Sequence, residues 1–330
     1  MRALIPLLLF VIVFGCTHQE SEQGKIYSVN GEISPSEMGL TLIHEHILVD
    51  FIGADSTGYH RWDKDSVVQR VLPFLEEIKA RGVKTLVECT PSFLGKDPVL
   101  LQKLTEASGI QFITNTGYYG AVEGKYLPPH AFTESAEQLA KRWVKEFQEG
   151  IEDTGVRPGF IKISVNSGAP LSEMDTKLVM AAALTHRETG LLIVSHTGTW
   201  ETANAEIEVL KEEKIDLSHF VWVHAQAEKD FENYKKAAEE GVWISLDGIA
   251  WDIPGHLERI VYCKENGLLN HVLLSHDAGW YSPGESNGGD FKGFTALFDE
   301  LIPILKEKGF TQSELDLMLI ENPAKAFSIK

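Results

Sequence analysis

Three cysteines in 330 residues are too few for a disulfide framework. One of them, Cys16, belongs to a leader considered below, and Cys89 and Cys263 each sit inside a run patterned like a regular element. Stability must then come from an ordinary apolar core, which a chain of this length can supply. Basic charge is also scarce: 30 Lys and Arg stand against 48 Asp and Glu, for a formal charge of −18, and no basic run occurs. Nucleic acid is thereby excluded as an expected partner, since its backbone calls for a basic patch or stripe. Electrostatic attachment to anionic lipid is excluded with it. No Pro/Gly/Ser-rich linker or break in composition divides the chain after its first residues, which favours one large domain.

The first residues are a different matter. Arg2 precedes an apolar run from Ala3 to Gly15, too short for a permanent membrane span but right for a signal-peptide core. The run closes Val13-Phe14-Gly15-Cys16 and is followed by polar Thr17 to Gln23. This resembles a bacterial lipoprotein signal, which implies a signal peptide over 1–15, a tether over 16–24 with a lipidated Cys16, and a folded body over 25–330. The implied location is the cell envelope, on the periplasmic or outer-membrane side, touching membrane only through the lipid. Phe14 is bulkier than the small residue usual there, so simple secretion is the alternative.

Residues 25–33 read as a short hairpin and 35–39 as a turn. Thereafter β-branched apolar runs occur at 41–49, 84–89, 110–116, 159–165, 191–196, 219–225, 242–247 and 271–276. Segments of helical periodicity follow them at about 64–81, 97–108, 134–152, 172–189, 201–214, 228–240, 255–266 and 293–308. Eight such pairs predict an α/β fold, a closed (β/α)8 TIM barrel in a single domain, with an open doubly wound sheet as the competitor. In a barrel the chemistry belongs at the C-terminal ends of the strands.

Those ends are rich in polar groups. In Thr41-Leu42-Ile43-His44-Glu45-His46-Ile47-Leu48 the alternation of a strand puts His44 and His46 on one face and Glu45 on the other. Lys162 interrupts the apolar strand 159–165; His196, His224 and Asp277 end the fifth, sixth and eighth runs. Four imidazoles and a carboxylate suit zinc or a similar ion, and the surplus of ligands over the three or four that one ion needs points to two. An ammonium group would repel them. A buried lysine readily gives up its proton, and the neutral amine can take up carbon dioxide to form a carbamate with two oxygens to share between the ions.

His-Glu-His on the first strand, lysine on the fourth, single histidines on the fifth and sixth, and Asp277 after Ser275-His276 together resemble the phosphotriesterase family of the amidohydrolase superfamily. The likeness runs from about Gly39 to Phe327 and includes Thr116-Gly117-Tyr118-Tyr119. It implies a buried ion on His44, His46 and Asp277, an exposed ion on His196 and His224, and a carboxylated Lys162 bridging them with a hydroxide. It further implies that the hydroxide attacks the substrate and that Asp277 accepts its proton. Lactone-hydrolysing relatives carry a tyrosine after strand three near the nucleophile, which makes Tyr118 or Tyr119 a candidate, with packing as the alternative for either. Trp200, Trp251, Trp280 and Tyr281 follow strands five, seven and eight and are candidates for an aromatic-lined pocket; Trp251 and Trp280 are the substrate candidates among them.

Asp247 could orient a ligand histidine or touch substrate. His276 should face the helices, and His219 and His271 lie at the opposite mouth; His186 is expected to be solvated, and His60 and His130 are undecided loop residues. The loop after strand seven, from Ile249 to about Gly255, is short, and Gln226 stands where phosphotriesterases commonly carry an acid, so the substrate stays open. The first reading is a binuclear hydrolase of an ester, foremost a lactone; the second is a phosphoester or organophosphate triester hydrolase. A lipid-anchored binding protein without chemistry is the third. The resemblance also implies a homodimer.

Overall fold

A computed structural model describes residues 24–329; the expected signal peptide, Cys16 and the expected tether up to residue 23 lie outside them. The hairpin pairs β1 (Ile26–Ser28) with β2 (Gly31–Ile33), and the turn that follows is a four-residue helix, α1 (Pro35–Met38). The first long strand is β3 (Thr41–Leu48), followed by β4 (Thr85–Glu88). The third apolar run breaks at Thr114 into β5 (Gln111–Ile113) and β6 (Asn115–Thr116). Then come β7 (Phe160–Ser164), β8 (Leu192–His196), β9 (Phe220–Val223), β10 (Trp243–Leu246) and β11 (Val272–Leu274). A short β12 (Gly279–Tyr281), absent from the sequence reading, pairs with β3.

Helices fill the connections: α2 (Lys64–Ala80), α3 (Pro98–Ser108), α4 (Pro129–Thr133), α5 (Ala136–Glu149), α6 (Glu173–Thr189), α7 (Trp200–Glu212), α8 (Glu232–Glu239) and α9 (Ile253–Glu265). Side-chain caps fix several starts: Asp63, Asp97, Ser135 and Ser172 each accept a backbone N–H of the first turn, satisfying donors that the helix leaves unpaired. The helix expected over 228–240 is only α8, because its first residues form a turn in which the Glu228 carboxylate accepts the N–H groups of Lys229 and Asp230. The segment expected over 293–308 opens with a π-helical turn at Leu297–Leu301 before α10 (Ile302–Glu307).

All pairings from β3 onward are parallel. One arc runs β11-β10-β9-β8-β7-β6 and the other β12-β3-β4-β5, and the two meet where β5 passes into β6. At the other junction Asp277 N donates to His44 O at 3.1 Å and His46 N to Ala278 O at 2.8 Å. Hydrogen bonding thus passes from strand to strand around the set, an α/β arrangement of parallel sheets consistent with a TIM-barrel-like fold.

Alternation sorts the strand residues into two layers. Leu86, Phe112, Ile161, Ile193, Trp222 and Leu274 face the helices in the larger core. Val87, Ile113, Phe160, Leu192, Val194, Val221, Val223 and Leu273 face inward in a second core, together with Ile26, Met38 and Phe327. Because β1 and the C-terminal residues join this inner layer, they mark the end where the strands begin. The chain ends meet there, with Lys25 and Ile329 exchanging backbone hydrogen bonds of 2.8 Å. Cys89 and Cys263 are buried free thiols. Among the described residues no helix is long and apolar enough to cross a membrane.

Gly279 sits where β12 passes β3, at φ 104°, and a β-carbon there would run into the His46 carbonyl. Gly279→Ala is therefore expected to destabilise the protein by about 3 kcal/mol or more, the strain of a left-handed φ adding to a backbone clash. Urea unfolding checks this, and a loss below about 1 kcal/mol would mean the junction is soft.

Candidate metal centre

The inward positions change character along the strands. On β8 the inner face reads Leu192, Val194, His196, and on β7 it reads Phe160, Lys162, Ser164, so apolar residues fill the lower layer and polar ones the layer above. On β3 the pairing register with β4 shifts between Leu42 and Glu45, a bulge with one extra residue. Ile43 remains in the inner apolar layer while His44 and His46 turn to the cavity above it, so the bulge aims the histidines.

The structure brings the predicted ligands together. His46 Nε2 lies 3.1 Å and His44 Nε2 3.8 Å from Asp277 Oδ1. His224 Nε2 is 4.0 Å from Asp277 Oδ2 and 2.8 Å from His196 Nδ1. Lys162, 1% exposed, lines the same cavity of about 170 Å³ with His44, His46, His196 and Asp277, and its Nζ has no hydrogen-bond partner. His224 (φ 58°) and Asp277 (φ 51°) hold backbone conformations uncommon for side chains of their kind, a cost that surrounding structure must impose.

Charge states suit cation ligands. Burial, reinforced by Lys162, lowers the His44 imidazole to about 4. Burial and the neighbouring His224 take His196 well below its usual value, so both rings are neutral, the form that ligates. Burial would also lower His224, but the Asp247 carboxylate outweighs it and the value rises. Asp277 and Asp247 are held below the carboxylate range against the pull of burial, Asp277 first by its bond to His46 and Asp247 first by the charge of His224.

Behind the cavity the segments that carry the histidines and Asp277 each meet a buried carboxyl group. Asp247 accepts from His44 Nδ1 at 3.2 Å and from His224 Nδ1 at 2.6 Å. Glu45 accepts from Ser275 Oγ, His276 Nδ1 and the backbone of His276 and Ala278, all within 3.0 Å. Glu88 takes the N–H groups of Ile47 and Thr90, and Thr90 Oγ1 lies 2.8 Å from His46 Nδ1. Glu206, reaching in from α7, bonds the Ser195 and Thr197 hydroxyls on either side of His196. Sequence reasoning missed Glu88 and Glu206; Glu206 lies in an ordinary helical pattern with no local mark, while Glu88 beside Cys89-Thr90 at a strand end could have been noticed.

The tyrosines separate. Tyr119 Oη lies 3.3 Å from His196 Nε2 and lines the cavity. Tyr118 does not line this cavity: it is 4% exposed, packs edge-on to Trp143 and lies 2.9 Å from His130 Nε2, because successive residues leave the strand in opposite directions. His130 is thereby tied to packing. Trp280 borders the cavity, its ring 6.3 Å from that of His46, and Trp251, 58% exposed, lies at the rim with its ring 5.7 Å from Trp280. Trp200 packs on Trp222 and Tyr281 on the larger core, away from the cavity. His276 faces outward as expected, its Nε2 accepting Leu297 N. His186 is half-buried rather than fully solvated; it bonds Leu191 O at 2.8 Å and packs 4.6 Å from the ring of His219, since its helix turns that face to the next strand's start.

The family model for the phosphotriesterase family matches residues 24–327. The chain belongs to the phosphotriesterase family. Membership carries a class of activity, metal-dependent hydrolysis. A phosphotriesterase homology protein of Escherichia coli (strain K12) is 29% identical over 88% of this chain and 98% of its own length. An aryldialkylphosphatase of Saccharolobus solfataricus is 26% identical over 90% of this chain and 97% of its own. The N-acetyltaurine hydrolase of Homo sapiens is 25% identical over 94% and 99%. Members of the family as distant as these thus differ in the substrates for which they are named.

Burial, only partly offset by the two hydroxyls, raises the Glu206 carboxyl to about 8. The folded state therefore keeps a proton that the unfolded chain releases near its ordinary value, and stability falls as pH rises from about 4.5 to 8. Glu206→Gln carries no such proton. In metal-free protein its stability relative to wild type should rise across that window by up to a few kcal/mol, measured by urea unfolding at pH 5, 7 and 8.5; a flat difference would show Glu206 to be ionised in the fold.

Proposed function

We propose that this protein is a binuclear metal-dependent hydrolase of ester bonds whose first substrate class is a small, neutral lactone. The observation that carries the reading is the Lys162 Nζ, buried and unpartnered in the cavity that the histidines and Asp277 share. An ammonium left without an acceptor at such a depth is costly. Carboxylation by carbon dioxide replaces it with an anion whose two oxygens suit two cations. His44, His46 and Asp277 would hold one ion, His196 and His224 the other, with Lys162 shared; nitrogen and oxygen donors suit zinc. When bound, such ions supply water acidified towards neutrality and a Lewis acid for the substrate's oxygen.

The chain's own residues do the rest. Asp277 places its carboxylate oxygens against three histidines at the mouth, where Oδ2 can take the proton of the attacking water. Burial raises the Tyr119 phenol to about 12, so it keeps its proton and can donate it in a hydrogen bond to the ester. Val49, Leu94, Phe51 and Trp280 give the cavity an apolar wall that seats the substrate's hydrocarbon and excludes water. At about 170 Å³ the space is below the ~300–1,000 Å³ of clefts for drug-sized ligands, which favours a compact ring over a bulky triester.

Phosphoester hydrolysis at the same residues is the second reading, supported by the relative named aryldialkylphosphatase. Full retention of the ligand set speaks against a binding protein without chemistry. Export and lipid anchoring through Cys16, on the envelope side described above, and a homodimeric state complete the proposal; the first rests on the sequence of residues 1–16.

Elemental analysis in bicarbonate buffer should find about two ions per chain in wild type and fewer in Lys162→Ala, with the carbamate visible in the intact mass of wild type alone. One ion or none would reduce the protein to a mononuclear hydrolase or a binding protein. Asp277→Asn should lower kcat on the order of 10²–10⁴-fold. Turnover of aryl phosphoesters with none of a lactone panel would reverse the order of the two substrate readings.

A further inference from the structure

Asp247 directly follows β10, is wholly buried, and spends its two oxygens on two different ligand histidines. Oδ1 faces His224 Nδ1 at 2.6 Å and Gln226 Nε2 at 3.0 Å. Oδ2 faces His44 Nδ1 at 3.2 Å, Ser245 Oγ at 2.6 Å and the His224 backbone N at 3.2 Å. Since an ionised carboxylate only accepts, both Nδ1 atoms must carry their protons, which in the neutral rings that ligate leaves both Nε2 atoms as lone pairs. Those two Nε2 atoms face Asp277, 3.8 Å and 4.0 Å from its oxygens. The ring planes are also set by this one group: His44 and His224 lie with centroids 5.1 Å apart and planes 29° from parallel.

We infer that Asp247 is a positioning residue that fixes the tautomer and ring direction of His44 and His224 together, and so couples the two candidate ion sites through one carboxylate. The inference rests on the metal reading given above, in which His44 belongs to one ion and His224 to the other. His44, His224 and Asp247 also come close enough to form a cluster of their own. The hydrogen bonds assign that grouping to support rather than to a third ion, because the two nitrogens in it are the protonated ones. Gln226 shares in the arrangement, its Oε1 accepting Asp247 N at 3.2 Å, so the residue standing in place of the family's usual acid orients the clamp.

An amide at this position offers one acceptor and one donor. In Asp247→Asn only one of the two histidines can keep its Nδ1 proton; the other must present a bare Nδ1 to the amide and a protonated Nε2 to the cavity. The expected result of zinc titration against a competing chelator is one ion bound as in wild type and the other weakened about 10–100-fold. In Asp247→Ala both should weaken by that order. Both ions unchanged in the Asn variant, or both weakened equally, would overturn the inference. Nitrogen-15 spectra of the imidazoles in the metal-free wild type, taken at a pH high enough to make both rings neutral, give a second readout that needs no variant to fold: His44 and His224 should both be Nδ1–H tautomers, and a neutral Nε2–H tautomer of either defeats the clamp. Failure of the metal reading looks different, as wild type would then bind no zinc while the two tautomers stay as stated.

Discussion

Glu45 faces away from the cavity, yet the site depends on it. Its carboxylate gathers the Ser275 hydroxyl, the His276 ring and two backbone N–H groups of the segment that ends the last long strand. The first and last strands of the set are thereby held at a fixed height, which carries Asp277 to His44 and His46. Four donors on one buried carboxylate offset much of the cost of removing it from water, whereas a lost partner would leave charge uncompensated in the interior. The carboxylate that closes the fold and the imidazoles that face the cavity are one residue apart, and strand alternation keeps them on opposite sides.

The same division of labour recurs around the cavity. Asp247 stands behind His44 and His224, Glu88 and Thr90 behind His46, Glu206 behind His196 through two hydroxyls. Ligand side chains are therefore held by groups with no route to substrate, and the uncommon backbone angles at His224 and Asp277 are tolerable because their neighbours are over-determined. Below this polar layer the inner core of Val194, Val223, Phe160 and Leu273 supplies a floor that cannot hydrogen-bond, so the imidazoles find their partners beside and above it, in one another, the carboxylates, Thr90 and Tyr119.

Much of this could be read from residue order. Periods of two and 3.6 gave the strand and helix positions nearly everywhere, and strand ends located His44, His46, Lys162, His196, His224 and Asp277 because burying so many polar groups at one mouth has no structural excuse. What escaped depended on contacts distant in sequence. The bulge between Leu42 and Glu45 leaves no mark in a β-branched run. Whether Tyr118 or Tyr119 met the cavity turned on a strand interrupted at Thr114, which periodicity treated as continuous. Glu206 sits 10 residues beyond His196, on a helix whose buried face otherwise carries no charged residue, and only its depth distinguishes it. His186 was read as wet because charged residues surround it in sequence, though its ring turns towards Leu191.

The pairing of Lys25 with Ile329 has a consequence for how the molecule stands on anything attached to it. Both chain ends leave at the floor, where the strands begin and Ile26 and Phe327 plug the interior, whereas Trp251 and Trp280 flank the opening at the far end. A resin or fused partner joined directly at Gly24 or Ile329 therefore starts from the closed base, at the end away from the opening, and leaves the entrance facing the surrounding medium.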